Sequence, residues 1–152
     1  MLRTPLLHPE ILNALGRGGH SSRVLIADGN YPFATQLGPN ADLVSLNLSP
    51  GLVSATDVLK AIVSAVPIEA ATIMQPVASG PYALTEDPPI WAEFRRILDE
   101  EQIDVPLEKL ERFDFFDAAK DDNMILTVAT GEQRLYANLL LQIGVVFPVT
   151  NQ

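Results

Sequence analysis

The chain has no cysteine, which excludes disulfides, thiolate nucleophiles, iron–sulfur ligation and every cysteine-containing zinc site. It is also poor in basic residues: 10 Lys and Arg stand against 19 Asp and Glu, a formal charge of −9. Those few cations are scattered and not interleaved with aromatics, so neither nucleic acid nor an anionic membrane is an expected partner. Nor is there a long apolar run. The start, Leu2-Arg3-Thr4-Pro5, lacks the roughly 7–15 apolar residues of a secretory signal. No segment reaches the roughly 18 needed to span a bilayer. A soluble, cytoplasmic protein is the expectation, and any chemistry must come from His, carboxylates, hydroxyls or Arg.

What is present is an ordinary globular composition, 47% apolar and 19% charged, over 152 residues, with no internal repeat and no linker. One domain over residues 1–152 is expected. Pro9 at a first helical position starts a short helix that the Gly16, Gly18 and Gly19 cluster stops, leaving His20 just beyond it. The continuous apolar run Val24 to Ala27 reads as a strand buried on both faces, broken at Asp28-Gly29-Asn30-Tyr31-Pro32. Residues 43–48 and 70–77 are further strands. Between them Ser54-x-x-Asp57 caps a helix that Pro67 ends. Pro89 opens a helix with Trp91, Phe94, Ile97 and Leu98 at helical spacing. Strands at 107–112, 124–129 and 138–147 follow, with a short helix at 114–120. Alternating strands and helices imply a three-layer α/β sandwich around a largely parallel sheet. Asp28, closing a strand, then sits in the crevice outside the carboxyl strand ends, where such sheets bind ligands.

Individually the polar candidates have plain structural explanations. His20 can serve the end of a helix, Asp28 can form a turn, Arg112 can be a surface cation, and Tyr136 and Asn138 can be loop residues. The glycines at 16, 18 and 19 end a helix, whereas phosphate-cradling glycines open one. His8 and His20 lack metal-ligand spacing, and no Ser sits in a Gly-x-Ser-x-Gly elbow.

Four ordered motifs change the picture: Gly19-His20; Ala27-Asp28-Gly29-Asn30-Tyr31-Pro32; Glu111-Arg112-Phe113-Asp114-Phe115-Phe116; and Thr130-Gly131-Glu132 followed by Tyr136-Ala137-Asn138. Together they resemble the RbsD/FucU family of D-ribose pyranases and L-fucose mutarotases over nearly the whole chain. Arg112 with Phe113-x-Phe115, and Leu37-Gly38-Pro39, resemble the fucose branch. That branch usually carries Tyr where this chain has Phe116. The resemblance implies a mutarotase that interconverts the anomers of a free monosaccharide, L-fucose first among them, with His20, Asp28 and Tyr136 as catalytic groups. Asp28, Arg112, Tyr136, Ala137 and Asn138 would contact the sugar. It implies no cofactor, no metal, and a ring-shaped homo-oligomer, commonly a decamer. Pyranose–furanose exchange on D-ribose, a non-catalytic sugar-binding module and a scaffold ring are the alternatives. Mutarotation suits His, because an imidazole near its unperturbed pKa of about 6.5 both gives and takes protons at neutral pH.

Overall fold

The computed structural model describes residues 1–149. Ten elements follow one another: α1 (Pro9–Arg17), β1 (Arg23–Ala27), β2 (Asp42–Ser45), α2 (Ala55–Val63), β3 (Ile68–Met74), α3 (Pro89–Glu100), β4 (Leu107–Leu110), α4 (Arg112–Ala119), β5 (Met124–Ala129) and β6 (Leu139–Ile143). The strands form one sheet in the order β2-β5-β1-β6-β3-β4. All neighbours run parallel except at β6, which is antiparallel to both β1 and β3.

The period of two along β1 makes the layers. Val24 and Ile26 face a core shared with α1, α2 and α3, while Leu25 and Ala27 face a second core with Phe115 and Ala119 of α4. All four are fully buried, as a strand covered on both faces requires. The expected α/β sandwich is the observed one.

Boundaries differ where capping or covering decides them. The Ser54 hydroxyl accepts from the Asp57 N–H at 3.1 Å and donates to its carboxylate at 2.6 Å, so Ser54 caps the helix as expected. The helix stops at Val63, short of Pro67, as Ala65 and Val66 turn back onto Ile62. The strand expected to run through Arg112 ends at Leu110. There the Glu111 carboxylate accepts from the Phe113 N–H at 2.8 Å and starts α4 two residues early, so Arg112 lies in its first turn. The strand expected at 138–147 is only Leu139–Ile143, and Val145, Val146, Phe147 and Val149 beyond it are exposed.

The reversed direction of β6 positions the site. Asp28 follows β1, Met74 closes β3, Arg112 follows β4 and Thr130 follows β5, all at the carboxyl ends of parallel strands. Because β6 runs the other way, its preceding residues, Tyr136 to Asn138, arrive at that same edge; Leu139 pairs with Ile26 on one side and Ile73 on the other. Gly131 lets the 130–138 loop pass under the 49–53 turn. A Cβ there would fall 2.1 Å from the Leu52 carbonyl oxygen and 2.5 Å from that of Ser49.

Candidate active site

Asp28 is 3% exposed and engages both carboxylate oxygens. Oδ1 accepts from the Asn30 N–H at 3.0 Å, and Oδ2 from the Ala137 N–H at 3.2 Å and the Asn138 amide at 3.0 Å. The Asn138 oxygen in turn accepts from the Asp28 N–H at 3.0 Å, closing a ring between the two residues. Burial pushes the Asp28 carboxyl above its ordinary range; the N–H groups of Asn30, Ala137 and Asn138 oppose this, and the nearby Glu132 charge adds to it. A carboxylate so placed is a stronger base than an exposed one.

Asp28 and Asn138 open into a cleft of about 400 Å³, lined also by Asn30, Tyr31, Arg112 and Tyr136. Met74, Tyr82, Phe116 and Leu135 complete it with apolar surface. Arg112 forms no ion pair among the described residues; its guanidinium lies 5.5 Å from the centre of the Phe116 ring, which packs edge-on to Tyr31. The cleft therefore offers acceptors, amide donors and a cation on one side and rings on another.

Tyr136 adopts φ 57°, the left-handed region, rarely occupied outside glycine. Its hydroxyl donates to the Tyr82 carbonyl at 2.7 Å and accepts from the Val77 N–H at 3.4 Å. The phenol expected to share in proton transfer is thus committed to a loop, and Tyr136 presents its ring to the cleft. Its carbonyl accepts from the indole N–H of Trp91 at 3.1 Å. Ala137 is fully buried and does not line the cleft; its N–H is spent on Asp28.

His20 lies apart from the cleft of its own chain. It precedes β1, whereas Asp28 follows it, so the five strand residues between them, at about 3.3 Å each, set the two at opposite ends of the sheet. The carboxylate beside His20 is not Asp28 but Glu69, whose Oε2 lies 3.0 Å from Nε2. Glu69 is itself held by the Gln142 amide at 2.6 Å, and Gln142 by Arg23 at 3.2 Å. The His20 side chain is 59% exposed, and Ser21 beside it has φ 68°. A fixed imidazole with a carboxylate on one nitrogen is an acid–base group, displayed outward and away from the cleft of its own chain.

Glu132, included in the Thr130-Gly131-Glu132 motif without a role of its own, anchors the loop that leads to Tyr136. Glu132, 5% exposed at its side chain, accepts from the Arg134 N–H and Nε on Oε1, at 3.0 and 2.9 Å. Its Oε2 accepts from Arg134 Nη2 at 2.7 Å and from Ala55, first residue of α2, at 3.3 Å. Burial pushes this carboxyl up, but the Arg134 hydrogen bonds and charge, with the Ala55 N–H, outweigh it and hold the pKa at about 2. The folded value lies below the unfolded one, so the stabilisation is complete above about pH 4.5 and is lost as pH falls towards about 2. With Arg134 partly open to solvent, it is on the order of 2 kcal/mol. Urea denaturation should show wild type losing roughly half of that, about 1 kcal/mol, more than Glu132→Gln between pH 5 and pH 3. Parallel losses would rule out Glu132 as the source.

A mostly parallel sheet with a half-polar, half-apolar cleft at its strand ends defines a small-molecule site in an α/β fold. The model of the RbsD / FucU transport protein family matches residues 1–146, and the chain belongs to that family. It is 33% identical over 148 residues to a fucose mutarotase of Homo sapiens, covering 93% of this chain and 90% of that one. The crystal structure of the fucose mutarotase of Streptococcus pneumoniae in complex with L-fucose superposes with a TM-score of 0.79 at 26% identity, over 97% of this chain and all of that one. FucU of Bifidobacterium longum superposes at 0.75 with 34% identity, over 95% of this chain and all of its own.

Proposed function

We propose that this chain is a carbohydrate isomerase, a mutarotase that interconverts the α and β anomers of L-fucose by opening and reclosing the sugar ring. The observation that carries this reading is the Asp28–Asn138 ring with Arg112 at the head of a cleft bounded on its other side by aromatic and aliphatic surface. A monosaccharide has the same division, hydroxyls around its rim and C–H groups on its faces.

Mutarotation delivers one proton to the ring oxygen and removes one from the anomeric hydroxyl; the C1–O5 bond breaks, the aldehyde turns, and O5 adds back to its other face. Asp28, made more basic by burial, accepts the anomeric hydroxyl and takes its proton. Asn138 and Arg112 hold neighbouring hydroxyls through directional donors. His20, oriented by Glu69, exchanges the proton at the ring oxygen.

The two halves of this machinery sit at opposite ends of one chain, so a second copy brings its His20 to this cleft. A ring of identical subunits, heterologous and closed, repeats that contact at every boundary, and a decamer is the proposed assembly. The exposed apolar residues Val145, Val146 and Phe147 follow β6 at the His20 end and give such a boundary apolar area to bury. The same reading makes residues 1–152 one cytoplasmic domain.

Exchange NMR on the anomeric protons of L-fucose, D-ribose and a panel of hexoses tests the function. Acceleration should be greatest for L-fucose. Saturable binding with no faster exchange of any sugar would leave a sugar-binding module and remove the enzyme.

A further inference from the structure

Tyr82 lies outside all four motifs that carry the family resemblance, in the irregular segment between β3 and α3, yet it lines the cleft. Its placement is built. Gly80, at φ 96°, begins a turn closed by the Ala83 N–H on the Gly80 carbonyl at 3.2 Å, and Pro81 stands at the turn position its fixed φ suits. The Tyr136 hydroxyl then holds the Tyr82 carbonyl at 2.7 Å. Downstream, Lys109 reaches Asp87 at 2.9 Å and fixes the end of the same segment. Tyr82 is 65% exposed, and no hydrogen bond uses its hydroxyl among the described residues. An exposed ring costs little to leave in water, but one pinned at the mouth of a polar cleft by a site residue invites a ligand with an apolar face.

We propose that Tyr82 is a specificity-determining residue of the sugar site: its ring covers the C–H face of the bound monosaccharide, and Tyr136 sets its position through the Tyr82 carbonyl. The geometry separates the two jobs. Asp28 bonds the main chain at Ala137 and the side chain of Asn138, at the root of the Tyr136 segment, whereas Tyr82 meets the far end of the Tyr136 side chain. Hydroxyls are gripped at the first point and carbon is covered at the second. At Phe116 the cleft wall offers a ring without a hydroxyl. Tyr82 adds a second ring through a loop, from a position the family motifs do not include. The C–H face and the C5 methyl of a 6-deoxyhexose are the groups this wall suits, and a sugar with a hydroxymethyl at that carbon suits it less.

This inference rests on the proposed function, and the test keeps the two apart. Calorimetric titration reports sugar binding whether or not any sugar turns over. L-fucose and its hydroxymethyl counterpart L-galactose are titrated, and their anomer exchange measured, for wild type, Tyr82→Ala, Tyr82→Phe and Tyr136→Phe. In Tyr82→Ala, Kd and KM for L-fucose should rise about tenfold, with the loss falling on KM rather than kcat and with discrimination against L-galactose reduced. Tyr82→Phe, which keeps the ring, should restore affinity to within about threefold of wild type, and Tyr136→Phe, which frees the loop, should approach Tyr82→Ala in KM. Unchanged affinity in Tyr82→Ala overturns the proposal, as does a Tyr82→Phe variant as impaired as Tyr82→Ala, which would make the hydroxyl and not the ring the contact. If wild type exchanged no sugar faster than buffer, the enzyme reading would fail, while the binding titrations would still decide the role of Tyr82.

Discussion

Substituting His20 by Ala should slow anomer exchange by about 10²- to 10⁴-fold, the range a positioned acid–base group contributes. Folding should be nearly untouched, because the side chain is mostly exposed and its one polar partner is Glu69. A sharper form of the experiment combines two inactive variants. If His20 of one copy serves the cleft of the next, then co-expressing His20→Ala with Asp28→Asn builds some boundaries that pair an intact cleft with an intact histidine. For random 1:1 assembly of a closed ring, about a quarter of the sites are complete, and about a quarter of wild-type exchange should return although each variant alone is nearly inactive. If His20 served its own cleft, no site in the mixture would be whole and nothing would return. Glu69→Gln is the companion measurement. It keeps a hydrogen-bond acceptor beside the imidazole but removes the carboxylate that orients it, so it should lower the rate of exchange without abolishing it.

The sequence carried the fold and one half of the site for reasons that are visible in the structure. Val24 to Ala27 reads as a doubly covered strand because no polar residue interrupts it, and its abrupt end fixes Asp28 at the sheet edge. Arg112 and Asn138 follow from motif order, whereas the capping role of Glu111 moves Arg112 from strand to helix. The separation of His20 from Asp28 was legible too: a histidine before a strand and an aspartate after it cannot meet unless the chain doubles back. What no local pattern contains is Glu69 beside His20, since their neighbourhood is made by the antiparallel pairing of β3 with β6. Tyr82 was equally hidden. It lies in a stretch without periodicity, and the Gly80–Ala83 turn together with the Tyr136 hydroxyl brings it to the cleft. Glu69 did leave a trace, as the one charged residue in Ile68 to Met74.

The largest effect on stability and activity together is expected at Asp28. Three donors converge on its carboxylate, and those of Ala137 and Asn138 lie in buried surroundings. Asp28→Ala leaves all three without an acceptor, and a buried orphan of this kind costs about 1–3 kcal/mol. The open cleft lets water recover part of that, so a total of about 2–4 kcal/mol is expected, read as a lower urea midpoint at unchanged slope. Asp28→Asn separates structure from function. It preserves shape and one oxygen and removes the charge that burial disfavours, so it should recover much of the stability while remaining at least about 10²-fold slower in anomer exchange. The acid limb gives an independent check of sign. A carboxyl whose folded pKa is raised binds its proton more tightly in the folded state, so the stability difference between wild type and Asp28→Asn should fall as pH rises through that range, opposite to the behaviour expected from Glu132. An Asp28→Asn protein as active as wild type would remove Asp28 from the proton path. One as unstable as Asp28→Ala would make the charge itself, and not the acceptor geometry, what holds the edge of the cleft together.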